Sequence, residues 1–108
     1  MAEMHFLPDL TRFLRDREEI YTVRRFRYQT HLCYVPNVGA CERKMVRANV
    51  QSSEDLADHY LLSGFKSAEE WWKKIQAINK GKGKSLFMYH VRVTRPTWQD
   101  QARFNDRC

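Results

Sequence analysis

Apolar positions change their period several times along the chain. Leu10, Phe13 and Leu14 recur at helical spacing with Arg12 and Arg15 facing out. That spacing predicts a helix opening at Pro8-Asp9 and ending near Asp16 to Glu18. Asp9 is placed to accept hydrogen bonds from the first-turn N–H groups. Residues 20–28 are rich in β-branched and aromatic types and predict a strand. Alternation puts Thr22, Arg24, Phe26 and Tyr28 on one of its faces and Tyr21, Val23, Arg25 and Arg27 on the other. Neither face is wholly apolar, so at least one basic side meets solvent or a ligand. Residues 31–35 read as a short second strand, and Pro36-Asn37-Val38-Gly39 as a turn. Residues 41–50 read as a third strand, with Val46, Ala48 and Val50 toward the core and Glu42, Arg43 and Lys44 near its exposed start.

The second half turns helical. Ser52-Ser53-Glu54-Asp55 is a helix-start signature, followed by an apolar stripe of Leu56, Ala57, Tyr60 and Leu61 and a stop at Ser63-Gly64. Ser67-Ala68-Glu69-Glu70 is a capping box for the clearest helix in the chain. Trp71, Trp72, Ile75 and Ile78 form its core face, with Lys73, Lys74 and Gln76 opposite. Residues 80–84 are a glycine-softened basic loop. Residues 86–94 predict a last strand, in which Phe87, Tyr89, Val91 and Val93 alternate with Met88, His90 and Arg92 until Pro96 ends it. Segregated helices and strands indicate an α+β domain. A small mixed β-barrel with helices packed around it suits 108 residues. The domain is expected over residues 1–95, with 96–108 a polar C-terminal tail that Trp98 and Phe104 would pack back. No internal repeat is present.

Composition narrows the class. The chain is 43% hydrophobic and 30% charged, with 6 Phe, 5 Tyr and 3 Trp, which suits one folded domain and not a disordered basic tail. No apolar run approaches the ~20 residues of a membrane span, and the first residues lack a secretory pattern. Cys33, Cys41 and Cys108 make no C-x-x-C pair and read as reduced thiols of a cytoplasmic protein. The four histidines are scattered, so neither a metal nor another cofactor is expected.

Charge adds a location. The net +6 conceals two basic blocks. Residues 20–47 hold six Lys or Arg against one acid, and residues 80–95 hold five against none. The remainder of the chain is net acidic. Two separated basic blocks on strand-rich segments point to a polyanionic partner.

The residues Ile20-Tyr21-Thr22-Val23-Arg24, following a helix and a polar tip, resemble the opening of ASCH domains of the PUA-like superfamily, whose signature there is G-x-K-x-x-E-x-R with Thr often replacing Glu. The stretch Leu62-Ser63-Gly64-Phe65-Lys66-Ser67-Ala68-Glu69-Glu70-Trp71 is similar to the family's helix entry, and Phe87-Met88-Tyr89-His90-Val91 to its closing strand. The resemblance covers roughly residues 7–94. It implies a small β-barrel with helices around a cleft that recognises RNA or a nucleotide. Some members resemble ribonucleases, and one bacterial branch is an amidohydrolase using a Lys, a Thr and a Glu. The carry-over is partial. Thr22 and Arg24 fall on the motif, but Arg17 and Glu19 stand at its Gly and Lys, and no acid stands near Ser63. A Thr hydroxyl without a base is a poor nucleophile.

The residues themselves support contact with nucleic acid. Arg24, Arg25 and Arg27 offer forked donors to phosphate, and Tyr28 a stacking face. The plainer alternative is a charged edge strand that resists aggregation. Lys80, Lys82 and Lys84 suit phosphate neutralisation, with Arg92 and Arg95 on the adjoining strand, although an ordinary surface loop has the same composition. Trp71 and Trp72 fit core packing better than base stacking. His31 and His90 are candidate acid–base groups, and Glu42 a surface ion-pair partner. Gly83-Lys84-Ser85 lacks the upstream glycine of a P-loop, because Ile78 stands there. The expectation is therefore RNA or single-stranded nucleic-acid binding by Thr22, Arg24, Arg25, Arg27, Tyr28, Lys82, Lys84 and Arg92. The alternative is a metal-independent ribonuclease or modified-nucleoside hydrolase in the same cleft, with Glu19, Glu42, His31 or His90 as base.

Overall fold

Five strands and two helices make up the domain, in a computed structural model that describes residues 2–79 and 85–96. The order is β1 (Ala2–Glu3), α1 (Pro8–Arg17), β2 (Glu19–Arg24), β3 (Leu32–Val35), β4 (Gly39–Arg47), α2 (Ala68–Asn79) and β5 (Phe87–Pro96). Two 3-10 turns, Ser53–Leu56 and Tyr60–Leu62, precede α2. The α+β class is as expected, and the short β1 is an addition. The sheet order is β1-β3-β4-β5-β2, antiparallel except for the parallel β1–β3 pair. Among the described residues the sheet is open, with β1 and β2 at its two edges, so the expected barrel closure is not seen.

Residues directly opposite in an antiparallel pair share a face. The register therefore places Ile20, Thr22 and Arg24 with Tyr89 and Val91, and with Cys41, Arg43 and Met45. This first face packs under α1, where Leu14, Ile20, Cys33, Val35, Cys41, Tyr89 and Val91 are buried. The second face carries Tyr21, Val23 and Met88 beneath α2, with Leu56, Trp71 and Ile75 buried against them. Glu42, His90 and Arg92 belong to this second face too.

Several local expectations change. Leu7 is the N-cap of α1 and Pro8 its first residue, so Asp9 lies inside the first turn, where it meets the helix dipole without capping. Strand β2 stops at Arg24, four residues early. The Tyr89 hydroxyl accepts from the Tyr28 N–H (2.8 Å) and donates to the Phe26 carbonyl (3.1 Å), so a side chain satisfies groups that a ladder would otherwise bond. In β4 the inward phase is Cys41, Arg43 and Met45; Val46 is exposed, Ala48 is exposed, and only Val50 of the expected set is buried. Arg43, expected near an exposed strand start, is 3% exposed. The helix expected from Ser52 is replaced by the two 3-10 turns, and Leu61 of its stripe faces solvent. The serine half of the capping box before α2 forms, with the Glu70 N–H donating to Ser67 Oγ at 3.1 Å. The domain reaches Pro96, which is buried; the rest of the expected tail lies outside the described residues.

Candidate functional site

A cleft of about 480 Å3 runs along the β2 edge of the sheet. One wall is the segment His5–Leu7 with Pro8 and Leu10 of α1; the other is Trp71, Lys74, Ile75, Ile78 and Asn79 of α2 together with Phe65. Between them lie Thr22, Val23 and Arg24 of β2, and Arg25, Phe26 and Tyr28 just beyond it. Four of the sequence-predicted residues, Thr22, Arg24, Arg25 and Tyr28, thus share one site.

Arg24 organises the floor. Its Nε donates to Thr22 Oγ1 (3.1 Å) and its Nη2 to the His5 carbonyl (2.8 Å), while the guanidinium lies over the Phe6 ring at 4.6 Å. The bond to His5 joins the end of one sheet edge to the chain just after the other. Thr22 is buried, and Arg24 is half-buried. Burial lowers the Arg24 pKa from its usual value. The nearby Arg43 cation adds to that lowering, and Tyr28 and Cys33 oppose it.

Behind Tyr28 sits a second guanidinium that the sequence did not single out. Arg43 Nε donates to the Thr30 carbonyl (3.0 Å) and its Nη2 to Thr30 Oγ1 (2.9 Å). Its guanidinium carbon is 3.8 Å from the Tyr28 ring centroid. Its Nη1 is buried without a hydrogen-bond partner. Among the described residues, neither Arg24 nor Arg43 has a carboxylate within ion-pair distance. Burying a cation without a counter-charge is costly. Arg43, buried, and Arg24, half-buried, together leave a positive potential beside the cleft.

The cleft mouth is apolar and basic together. Leu7 (45% exposed), Phe26 (63%) and Ile78 (62%) are large apolar side chains left open to solvent, and all three line it. Arg25, over the Phe26 ring at 5.7 Å, and Lys74 supply exposed charge. The helical pattern places Lys74 on the outer face of α2, and the structure turns it into the cleft. Its spacing of three from Trp71 and four from Ile78 was the available signal, since residues so spaced share a face. Trp71 is buried, as the core reading required, and Ile78 is at the rim instead of in the core. The lining described contains no carboxylate and no thiol.

The remaining predicted residues lie elsewhere. Arg27 is exposed beyond β2 and does not line the cleft. Arg92 is on the second sheet face, 3.7 Å from Glu42. Lys82 and Lys84 lie outside the described residues. Of the candidate bases, Glu19 and His90 pair with each other at 3.0 Å on the second face, and Glu42 is there also. His31 is exposed in the segment before β3. The described residues hold no cluster of three potential metal ligands, and no helix among them is long and apolar enough to cross a membrane.

Comparison with known proteins gives no match to a family model, a curated protein or a solved structure.

Proposed function

We propose that this domain binds RNA or another single-stranded nucleic acid in the β2-edge cleft, as its resemblance to ASCH and PUA-like domains implies. The observation that carries the reading is the pair of guanidinia, Arg43 buried and Arg24 half-buried, set beside an aromatic cleft with no acid in contact among the described residues. An anionic ligand would supply the missing counter-charge. The aromatic and aliphatic rim would take up the faces of unpaired bases, which are available only in single strands. Thr22 and Arg24, the two positions that match the ASCH motif, lie together on the floor. Arg25 and Lys74 are the exposed phosphate contacts, and Tyr28 is a stacking surface backed by the Arg43 cation.

Binding is favoured over hydrolysis in this cleft. Glu19, Glu42 and His90 face the other side of the sheet, so they cannot serve Thr22 as a base. His5 is the lone imidazole among the described lining residues, which include no carboxylate, and it pairs with Glu3 at 3.2 Å.

The test is a fluorescence-anisotropy titration of a labelled oligouridylate over a range of salt. The wild-type chain should bind with an affinity that falls as salt rises. Arg25→Gln/Lys74→Gln should bind about tenfold or more weakly, with a salt slope reduced by about 1 to 2. Wild-type binding that is absent or indifferent to salt would refute the reading.

A further inference from the structure

The wall of the cleft formed by residues 5–8 is a narrow ridge with a second groove on its far side. Arg24 anchors the ridge from the cleft side through the His5 carbonyl and the Phe6 ring. Thr11 of α1 holds it as well, its hydroxyl donating to the Phe6 (3.2 Å) or Leu7 (3.1 Å) carbonyl. Beyond the ridge, a groove of about 390 Å3 runs between α1 and the β3–β4 turn. His5, Phe6 and Pro8 line both cavities, so the two are neighbours that share this ridge as a wall.

The second groove differs in chemistry from the first. Arg12 and Arg15 of α1 line it, with Thr11 beside them and Val35, Pro36 and Asn37 opposite. Both arginines are exposed and stand three residues apart, on one face of the helix. No carboxylate lines the groove. Asp9 and Asp16 flank Arg12 along α1, and Glu3 meets His5; these acids weaken the local positive field without entering the groove. Phe6 is the groove's aromatic, against the five in the cleft. A site with guanidinium forks and few flat surfaces suits phosphates, not bases.

We infer that a single strand bound in the cleft crosses the residue 5–8 ridge and lays its next phosphates against Arg12 and Arg15. The inference rests on the nucleic-acid reading of the cleft and adds the extent and path of the ligand. Bases are held on the α2 side of the ridge, and backbone on the α1 side. A flexible single strand can follow such a path, whereas a duplex would pay to bend over the ridge.

Diuridylate and an oligouridylate of about ten nucleotides, within the range of a single-strand site, separate the two halves of the track. Arg12→Gln/Arg15→Gln keeps good helix formers at both positions, and its thermal melt should match the wild type. It should lose about tenfold in affinity for the long oligomer, with a shallower salt slope, and keep its affinity for diuridylate. Arg25→Gln/Lys74→Gln should weaken both ligands. Equal affinity of Arg12→Gln/Arg15→Gln and wild type for the long oligomer would overturn the inference and leave the cleft reading standing. Equal loss for both ligands would overturn it too, since the groove would then be part of the primary site. No binding of either oligomer by the wild type would overturn both readings.

Discussion

Arg24 and Arg43 differ in how visible they are in the sequence. Arg24 sits in a run of basic and aromatic residues that any search for phosphate contacts would find. Arg43 is hidden because hydropathy places an arginine outside, and the apolar alternation of β4 points to the opposite phase. Val46, Ala48 and Val50 suggested that even positions point inward. The register instead buries Cys41 and Arg43, and the irregularity between Met45 and Arg47 shifts the pattern just where the apolar run begins. A β-bulge of this kind leaves little trace in sequence. The same first face holds two thiols of altered chemistry. Cys33 and Cys41 are cross-strand partners, both fully buried. Burial pushes the Cys33 thiol up, against the opposing pull of Arg43 and Arg24. Burial, with the neighbouring Cys33, pushes Cys41 up to about 12. In the unfolded chain a thiol ionises near its ordinary value of 9.0. Below that pH both states hold the proton and stability is unaffected. Between it and about 12 the folded state binds more protons than the unfolded one. Stability should then fall with rising pH, by up to about 1.4 kcal/mol per unit for Cys41. Denaturant midpoints measured from neutral pH to about pH 11 should decline more steeply for wild type than for Cys41→Ala. Parallel curves would show that the thiol does not stay protonated in the folded chain.

At the scale of elements, α1, α2 and the existence of β2 to β5 were legible because their periods are clean and their ends carry chemical signals. The stretch after β4 was not. Its expected stripe fits a helix, but its polar residues are engaged otherwise. Asp55 accepts from the Gln51 N–H (2.8 Å) and pairs with Arg47 (2.7 Å). The Ser63 hydroxyl donates to the Tyr60 carbonyl at 2.6 Å. Such local bonds compete with a regular helix, and the backbone bonds there run over three residues, as from the Ala57 N–H to the Glu54 carbonyl. The segment ends at Gly64, whose φ of +86° is left-handed. A Cβ there would lie 2.6 Å from Leu10 Cδ2. Gly64 therefore brings the entry to α2 against α1, which sets the spacing of the two cleft walls. Gly64→Ala should cost about 1 kcal/mol or more, chiefly from the left-handed backbone, since the end of the Leu10 side chain can shift. Thermal unfolding checks this directly. An unchanged Tm would mean that the left-handed backbone at Gly64 is not maintained in solution.

Across the whole molecule, the described part of the second basic block does not join the first: Arg92 lies apart from the cleft that Arg24 and Arg25 line. Strands β2 and β5 are neighbours, as a single shared site would require. Yet their pairing turns Arg92 toward Glu42 on the second face, while Thr22 and Arg24 turn toward α1. The charge that joins the first block in the cleft comes from α2, through Lys74, in a part of the chain that is net acidic. Linear charge counts could locate β2 and its exit as the site but could not supply its opposite wall. Wall assignment depends on tertiary packing, in which Trp71 and Ile75 fix which face of α2 looks into the cleft. The expected footprint of a bound strand is therefore confined to the β2 edge and the two walls beside it. Amide chemical shifts recorded while an oligouridylate is titrated into the labelled protein test it most directly. The largest changes should fall on residues 5–10, 22–28 and 71–79, with Glu42, His90 and Arg92 unmoved. Changes centred on Glu42, His90 and Arg92, with the cleft residues silent, would contradict it.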